Sequence, residues 1–156
     1  MPDSENLPKE TDFMKRPILP NRIPRAPRIG TKASFSRTFT EADVALFIGV
    51  TWDVNPLHTD ESYSSQTRFK GRIIPGLLTA SMLTHLGGLW AFLATEMNFQ
   101  FLAPVYVGQT ILAEFKVVEL DKSRGWVRLS ARCTNEQGAA VLRAEILGFP
   151  GRFEDQ

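Results

Sequence analysis

The sequence predicts an α+β protein in which a curved antiparallel sheet surrounds one long, buried helix. Three observations carry this expectation. Residues 76–95 are apolar or small on nearly every side, which is the composition of a helix enclosed by other structure rather than one lying on a surface. After them the hydrophobic period becomes that of strands, with segments at 99–104, 110–120, 126–134 and 139–149 separated by short turns. Before them, A-S-F-S-R-T-F at 33–39 places Ala33, Phe35, Arg37 and Phe39 on one side and Ser and Thr on the other, adding a further strand. Long strands joined by short turns make an antiparallel meander, and a helix packed on such a sheet is the α+β arrangement.

At 156 residues, with 43% hydrophobic and 22% charged residues, the chain suits one globular domain with a substantial core. That domain is expected at 31–150, between an extended arm at 1–30 and a short tail at 151–156. The arm follows from composition, because six of the ten prolines fall in it, and proline removes backbone donors and disfavours helix in the preceding residue. A net charge of +1 creates no global field that would attract nucleic acid or an anionic membrane. No secretory h-region and no membrane-spanning apolar run is visible, so a cytoplasmic location is expected. The single cysteine, Cys133, rules out an internal disulfide and reads as a packed strand residue.

Taking the elements in order, Thr40 supplies an N-cap hydroxyl and Asp43 stands three residues later, an arrangement like a capping box. The helix it opens has Val44, Phe47 and Ile48 on one stripe and runs to about Val50. It leads into D-V-N-P-L-H-T-D at 53–60, where two carboxylates, an amide, a turn-forming proline and one of only two histidines fall within eight positions. Asp53 and His58 are therefore a candidate acid/base pair, although the same residues also suit a capped turn. Asn55 and Pro56 are expected to shape that turn, and Asp60 to cap a further helical turn through Ser65. Arg68, Lys70, Gly71 and Arg72 form a basic loop. Pro75 and Gly76 mark the start of the long helix, and Gly87 with Gly88 predicts a kink or close packing within it. His85, inside that apolar run, reads as a core histidine rather than a metal ligand.

Together these stretches resemble a known family. D-x-N-P-x-H-x-D after a helix, the basic loop, G-L-L opening the apolar helix and F-x-x-P-V-x-V-G at 101–108 are similar to the MaoC-like hydratases and dehydratases, near the (R)-specific enoyl-CoA hydratases. The resemblance spans about residues 33–149. It implies a hot-dog fold and a homodimer with acyl-thioester tunnels near the protomer interface. It also implies reversible hydration of trans-2-enoyl thioesters, carried by coenzyme A or acyl carrier protein, with no further cofactor and no metal. Position by position, it assigns the catalytic carboxylate to Asp53, the imidazole to His58 and the oxyanion-binding N–H to Gly76. Thr84 stands where the family has a helix serine, and Asn55 and Thr84 become candidates for positioning substrate. Pro75 departs from the histidine many members carry there, although Pro-Gly also occurs in related acyl carrier protein dehydratases. The basic loop becomes a candidate for meeting coenzyme A phosphates. Two other readings remain at this point: a hot-dog acyl-CoA thioesterase and a non-catalytic acyl-thioester binding module.

Overall fold

The computed structural model describes residues 27–88 and 90–151, with the Leu86 side chain excepted. Most of the expected arm, and the tail beyond Gly151, lie outside the described residues. Five strands form one antiparallel sheet: β1 (Lys32–Thr38), β2 (Leu93–Phe101), β3 (Thr110–Asp121), β4 (Trp126–Thr134) and β5 (Ala140–Phe149), in the spatial order β1-β3-β4-β5-β2. The helices are α1 (Glu41–Thr51), α2 (Pro56–Thr59), α3 (Glu61–Ser65), α4 (Gly76–Ala80) and α5 (Met82–Gly88). A sheet packed on short helices in this order is the hot-dog architecture.

The strands form because their side chains alternate. On β3, Ile111, Ala113, Phe115 and Val117 are buried while Leu112, Glu114 and Lys116 turn outward or to the margin, as the period of two requires. Val127, Leu129, Ala131 and Cys133 of β4, and Leu142, Ala144 and Ile146 of β5, continue the same inner face. Leu78, Ala80, Met82 and Leu83 of the helices pack onto it, and Trp90 meets the Phe115 ring edge-on at 4.7 Å. Burial raises the Cys133 thiol to about 12, so the thiolate is absent at neutral pH. The native protein should therefore resist alkylation by iodoacetamide at pH 7.5, and the thiol should react only after denaturation. Rapid labelling of folded protein would contradict this placement.

The capping box forms as expected: Asp43 N–H donates to Thr40 Oγ1 while Thr40 N–H donates to the Asp43 carboxylate, a cap generally worth about 1 kcal/mol. Asp43 also pairs with Arg37. Burial pushes the Asp43 carboxyl up, but the hydrogen bonds from Thr40 and the Arg37 charge outweigh it and hold the pKa below its ordinary value. A depressed carboxylate pKa contributes stability above the unfolded-state value and loses it as pH falls through the folded-state value. The cap is thus weakened by acid.

The helix of twenty residues is not formed. Helix begins at Gly76 as expected but is tightened at Ser81, between α4 and α5, and ends at Gly88. Ser81 is itself right-handed helical and its N–H reaches Leu77 O, so 76–88 is nearly one helix. It stops because two consecutive glycines have poor helix propensity, and the chain then reverses with Trp90 N–H and Phe92 N–H both reaching Gly87 O. Residues 93–95, expected to be helical, pair instead with β5, Leu93 opposite Phe149 and Ala94 opposite Gly148. The strand expected at 99–104 is accordingly the later part of β2, which stops at Phe101. His85 is exposed rather than in the core, with its ring 4.2 Å from that of Phe35.

Candidate active site

Helix α1 ends on a residue that no local pattern marks. Trp52 adopts a left-handed conformation at φ 58°, and its N–H closes the helix on Ile48 O at 2.7 Å. Glycine or asparagine is the usual choice there, and an L side chain pays roughly 1–3 kcal/mol in this region. The turn starts the loop that carries Asp53. Asn55 then caps α2, its Oδ1 accepting from Leu57 N–H at 3.0 Å, with Pro56 at the first helical position. Asp60 caps α3 by accepting from Tyr63 N–H at 2.9 Å. Both residues have the structural roles their types suggested.

His58 rides on α2 and is almost wholly buried at 9% exposure. Its Nδ1 lies 2.8 Å from Ile73 O, and Ile73 N–H returns a hydrogen bond to Leu57 O at 3.1 Å. A carbonyl only accepts, so Nδ1 carries the proton, and in neutral imidazole Nε2 presents a bare lone pair. That lone pair faces Asp53 Oδ2 at 3.7 Å, and the Asp53 side chain is 42% exposed. Two acceptors at this separation share no direct hydrogen bond.

The segment between α3 and α4 is held from both sides. Ile73 bridges to Tyr106, Ile74 N–H donates to Val105 O at 2.8 Å and the Tyr106 hydroxyl donates to Phe69 O at 2.7 Å. These bonds deliver Gly76 beside His58, where both line one cleft of about 290 Å³. The cleft walls are largely apolar, including Ile74, Leu102, Val105 and Val141, and Arg68 also lines it. Gly76 N–H has no acceptor among the described residues. A Cβ at Gly76 would sit 3.0 Å from the Phe101 ring, which is why the tight wall there admits glycine.

The structure therefore brings Asp53, His58 and Gly76 around one opening, with Asp53 at its edge rather than in its lining. Thr84 is not in that lining: it is exposed, and its hydroxyl donates to Ser81 O at 2.6 Å. Of the basic loop, Arg72 is committed to ion pairs with Glu41 and Glu61, whereas Arg68 reaches the cleft. Thr79 and Phe101 also line the cleft, and neither is given a role in the site by a local motif. Thr79 was findable in principle, because a residue three after Gly76 shares its helix face. A larger depression of about 730 Å³ lies on the outer face of the sheet, among Lys32, Glu114, Arg132 and Arg143. It holds none of the three site residues, and its charged walls suit solvent better than an acyl chain.

His58 with its Nδ1–H held by Ile73 O, the Asp53 carboxylate across from its Nε2, and Gly76 at the start of α4 stand together at an apolar cleft of a hot-dog protein. Comparison with known proteins carries this further. A family model described as "MaoC like domain" matches residues 24–137. The chain is 35% identical over 121 residues to an (R)-specific enoyl-CoA hydratase of Rhodospirillum rubrum, covering 74% of this chain and 83% of the relative. It is 30% identical over 125 residues to a mitochondrial 3-hydroxyacyl-acyl-carrier-protein dehydratase of Solanum lycopersicum, covering 76% of this chain and 74% of the relative. Among solved structures it is similar to the (R)-hydratase of A. caviae involved in PHA biosynthesis, with TM-score 0.76 and 30% identity over 80% of this chain and 97% of that one. The chain belongs to the MaoC-like family of hydratases and dehydratases.

Proposed function

We propose that this protein is a hydro-lyase that adds water reversibly to trans-2-enoyl thioesters, giving (R)-3-hydroxyacyl thioesters. The observation that carries the reading is the pair of facing acceptors, His58 Nε2 and Asp53 Oδ2, 3.7 Å apart at the edge of a cleft that Gly76 also lines. A single water can donate one hydrogen to each acceptor, and that arrangement aims its oxygen lone pair at a bound ligand.

Hydration needs water oxygen to bond to C3 while a proton reaches C2. As the C3–O bond forms, the water gives up a proton to the carboxylate–imidazole pair, and the pair returns a proton to C2 on the same face of the flat substrate. No net charge is gained, and the reverse steps expel water. General acid/base help of this kind contributes about 100- to 10,000-fold. Between the two transfers, negative charge builds on the thioester oxygen, and a hydrogen bond from Gly76 N–H stabilises it. The (R) configuration is carried over from the relatives' names.

The carrier is coenzyme A or acyl carrier protein, and the reaction draws on no cofactor beyond it. Arg68 supports a role in meeting an anionic carrier group, since it alone of the basic loop lines the cleft. Strand β2 is a sheet edge with Leu93, Met97 and Phe101 exposed, and exposed apolar edges invite pairing. That favours the homodimer the family resemblance implies. No helix among the described residues is long and apolar enough to cross a membrane, and a cytoplasmic setting fits the proposed substrate.

The test is to incubate the purified protein with crotonyl-CoA, follow loss of the conjugated enoyl absorbance and resolve the stereochemistry of the product. Formation of (R)-3-hydroxybutyryl-CoA is expected. Release of free thiol without hydration would favour a thioesterase, and tight binding without turnover of any enoyl chain length would indicate a binding module.

A further inference from the structure

Thr79 carries a hydroxyl that the fold leaves unused. The residue is 3% exposed and lines the cleft with His58 and Gly76. Its Oγ1 makes no hydrogen bond with any described residue, and yet no sealed, unsatisfied side-chain oxygen exists among the described residues. The hydroxyl therefore opens onto the cleft itself. A helix threonine usually resolves its hydroxyl on the carbonyl four residues back. Here that carbonyl, Pro75 O, already accepts from Leu78 N–H and Thr79 N–H. The other threonine of the 76–88 helical run, Thr84, has settled its hydroxyl on Ser81 O and is exposed. Of the two, Thr79 is the one that offers a donor to a ligand.

Its place on the helix says where that donor points. Residues three apart share a face, so Thr79 stands above Gly76 by about 4.5 Å of rise along the axis. Helix side chains lean back toward the N-terminus, which brings the Thr79 side chain over the turn that begins with Gly76. An unpartnered hydroxyl at the wall of a cleft is served by water until a ligand that accepts a hydrogen bond takes its place.

We propose that the Thr79 hydroxyl is a second donor to the thioester oxygen, acting beside Gly76 N–H. This rests on the hydration reading for its substrate class. With two donors, the developing oxyanion receives one hydrogen bond from the backbone and one from a rotatable hydroxyl.

The experiment compares Thr79→Val, which keeps shape and removes the hydroxyl, with Thr79→Ser, which keeps the hydroxyl. Thr79→Val should lower kcat for crotonyl-CoA hydration by about 100- to 1,000-fold with KM little changed, and Thr79→Ser should restore most of it. Wild-type kcat in Thr79→Val, or equal loss in both variants, would overturn the proposal. A second readout needs no turnover. With carbonyl-labelled butyryl-CoA, which is saturated and inert to hydration, the bound C=O stretch should lie lower in the wild type and Thr79→Ser than in Thr79→Val. An inactive wild type that still shows this difference would sink the hydration reading while sustaining the donor, and an active wild type without it would do the reverse.

Discussion

Asp53→Asn and His58→Ala should each depress crotonyl-CoA hydration by about 100- to 10,000-fold while the protein still melts cooperatively. The reason lies in what each substitution does to the facing pair. Asparagine has nearly the shape of aspartate but brings an NH₂ donor toward His58 Nε2, so the lone pair that would receive the water's proton is occupied. Alanine at 58 removes the imidazole outright and with it the Nδ1–H bond to Ile73 O, which costs about 1 kcal/mol as a typical hydrogen bond. The Asp53 carboxylate accepts only one long hydrogen bond, from Asn55 N–H at 3.4 Å, so its replacement by asparagine leaves stability nearly unchanged. Because the two groups act on one water, the double variant should be scarcely slower than the worse single variant. Steady-state kinetics alongside thermal melts check this. Full activity in either single variant would remove that residue from the mechanism, and additive losses would mean the two groups act separately.

Gly148→Ala should be the most damaging single methyl in the described sheet, lowering stability by about 3 kcal/mol. Its Cβ would lie 2.2 Å from Leu93 O, 2.7 Å from Phe92 Cζ and 2.9 Å from Ala94 Cα. Two of these three are backbone atoms and cannot swing away. Ala94 is the direct partner of Gly148, next to the irregularity between Ala94 and Glu96, so relief requires the start of β2 to separate from β5. The contrast is Gly49→Ala in the last turn of α1, where a Cβ meets nothing within 4 Å and should stabilise by about 0.5–1 kcal/mol through helix propensity. Denaturant melts of both variants provide the measurement. An unchanged midpoint for Gly148→Ala would show that β2 packs on β5 less closely than described.

Much of the site was legible because its parts are local. The cap at Thr40 is decided by two side chains three residues apart, and the turn at Asn55-Pro56 by an amide and a ring of fixed φ. Asp53 and His58 stand five residues apart across that turn, so the loop alone brings them to one region. Their separation and roles were not legible. They depend on Ile73 O, which fixes the imidazole tautomer from fifteen residues away, and on the left-handed Trp52 that aims the loop. Trp52 follows no glycine-like rule, and nothing in its neighbours announces the conformation.

By itself the sequence determined the α+β class, the strand segments that became β3 to β5, the caps at Thr40 and Asp60, the turn at Asn55-Pro56, and the position of Gly76 at a helix start. Each of these rests on side-chain periodicity or on bonds spanning a few residues. Tertiary structure decided where the helix stops, because residues 93–95 are apolar enough for helix or strand and only the β5 ladder, some fifty residues later, offers them hydrogen bonds. It also decided which hydroxyl on that helix faces the cleft. Thr79 and Thr84 are the same residue type on one helical run, and the sheet that closes over one side of it buries the first and leaves the second in solvent.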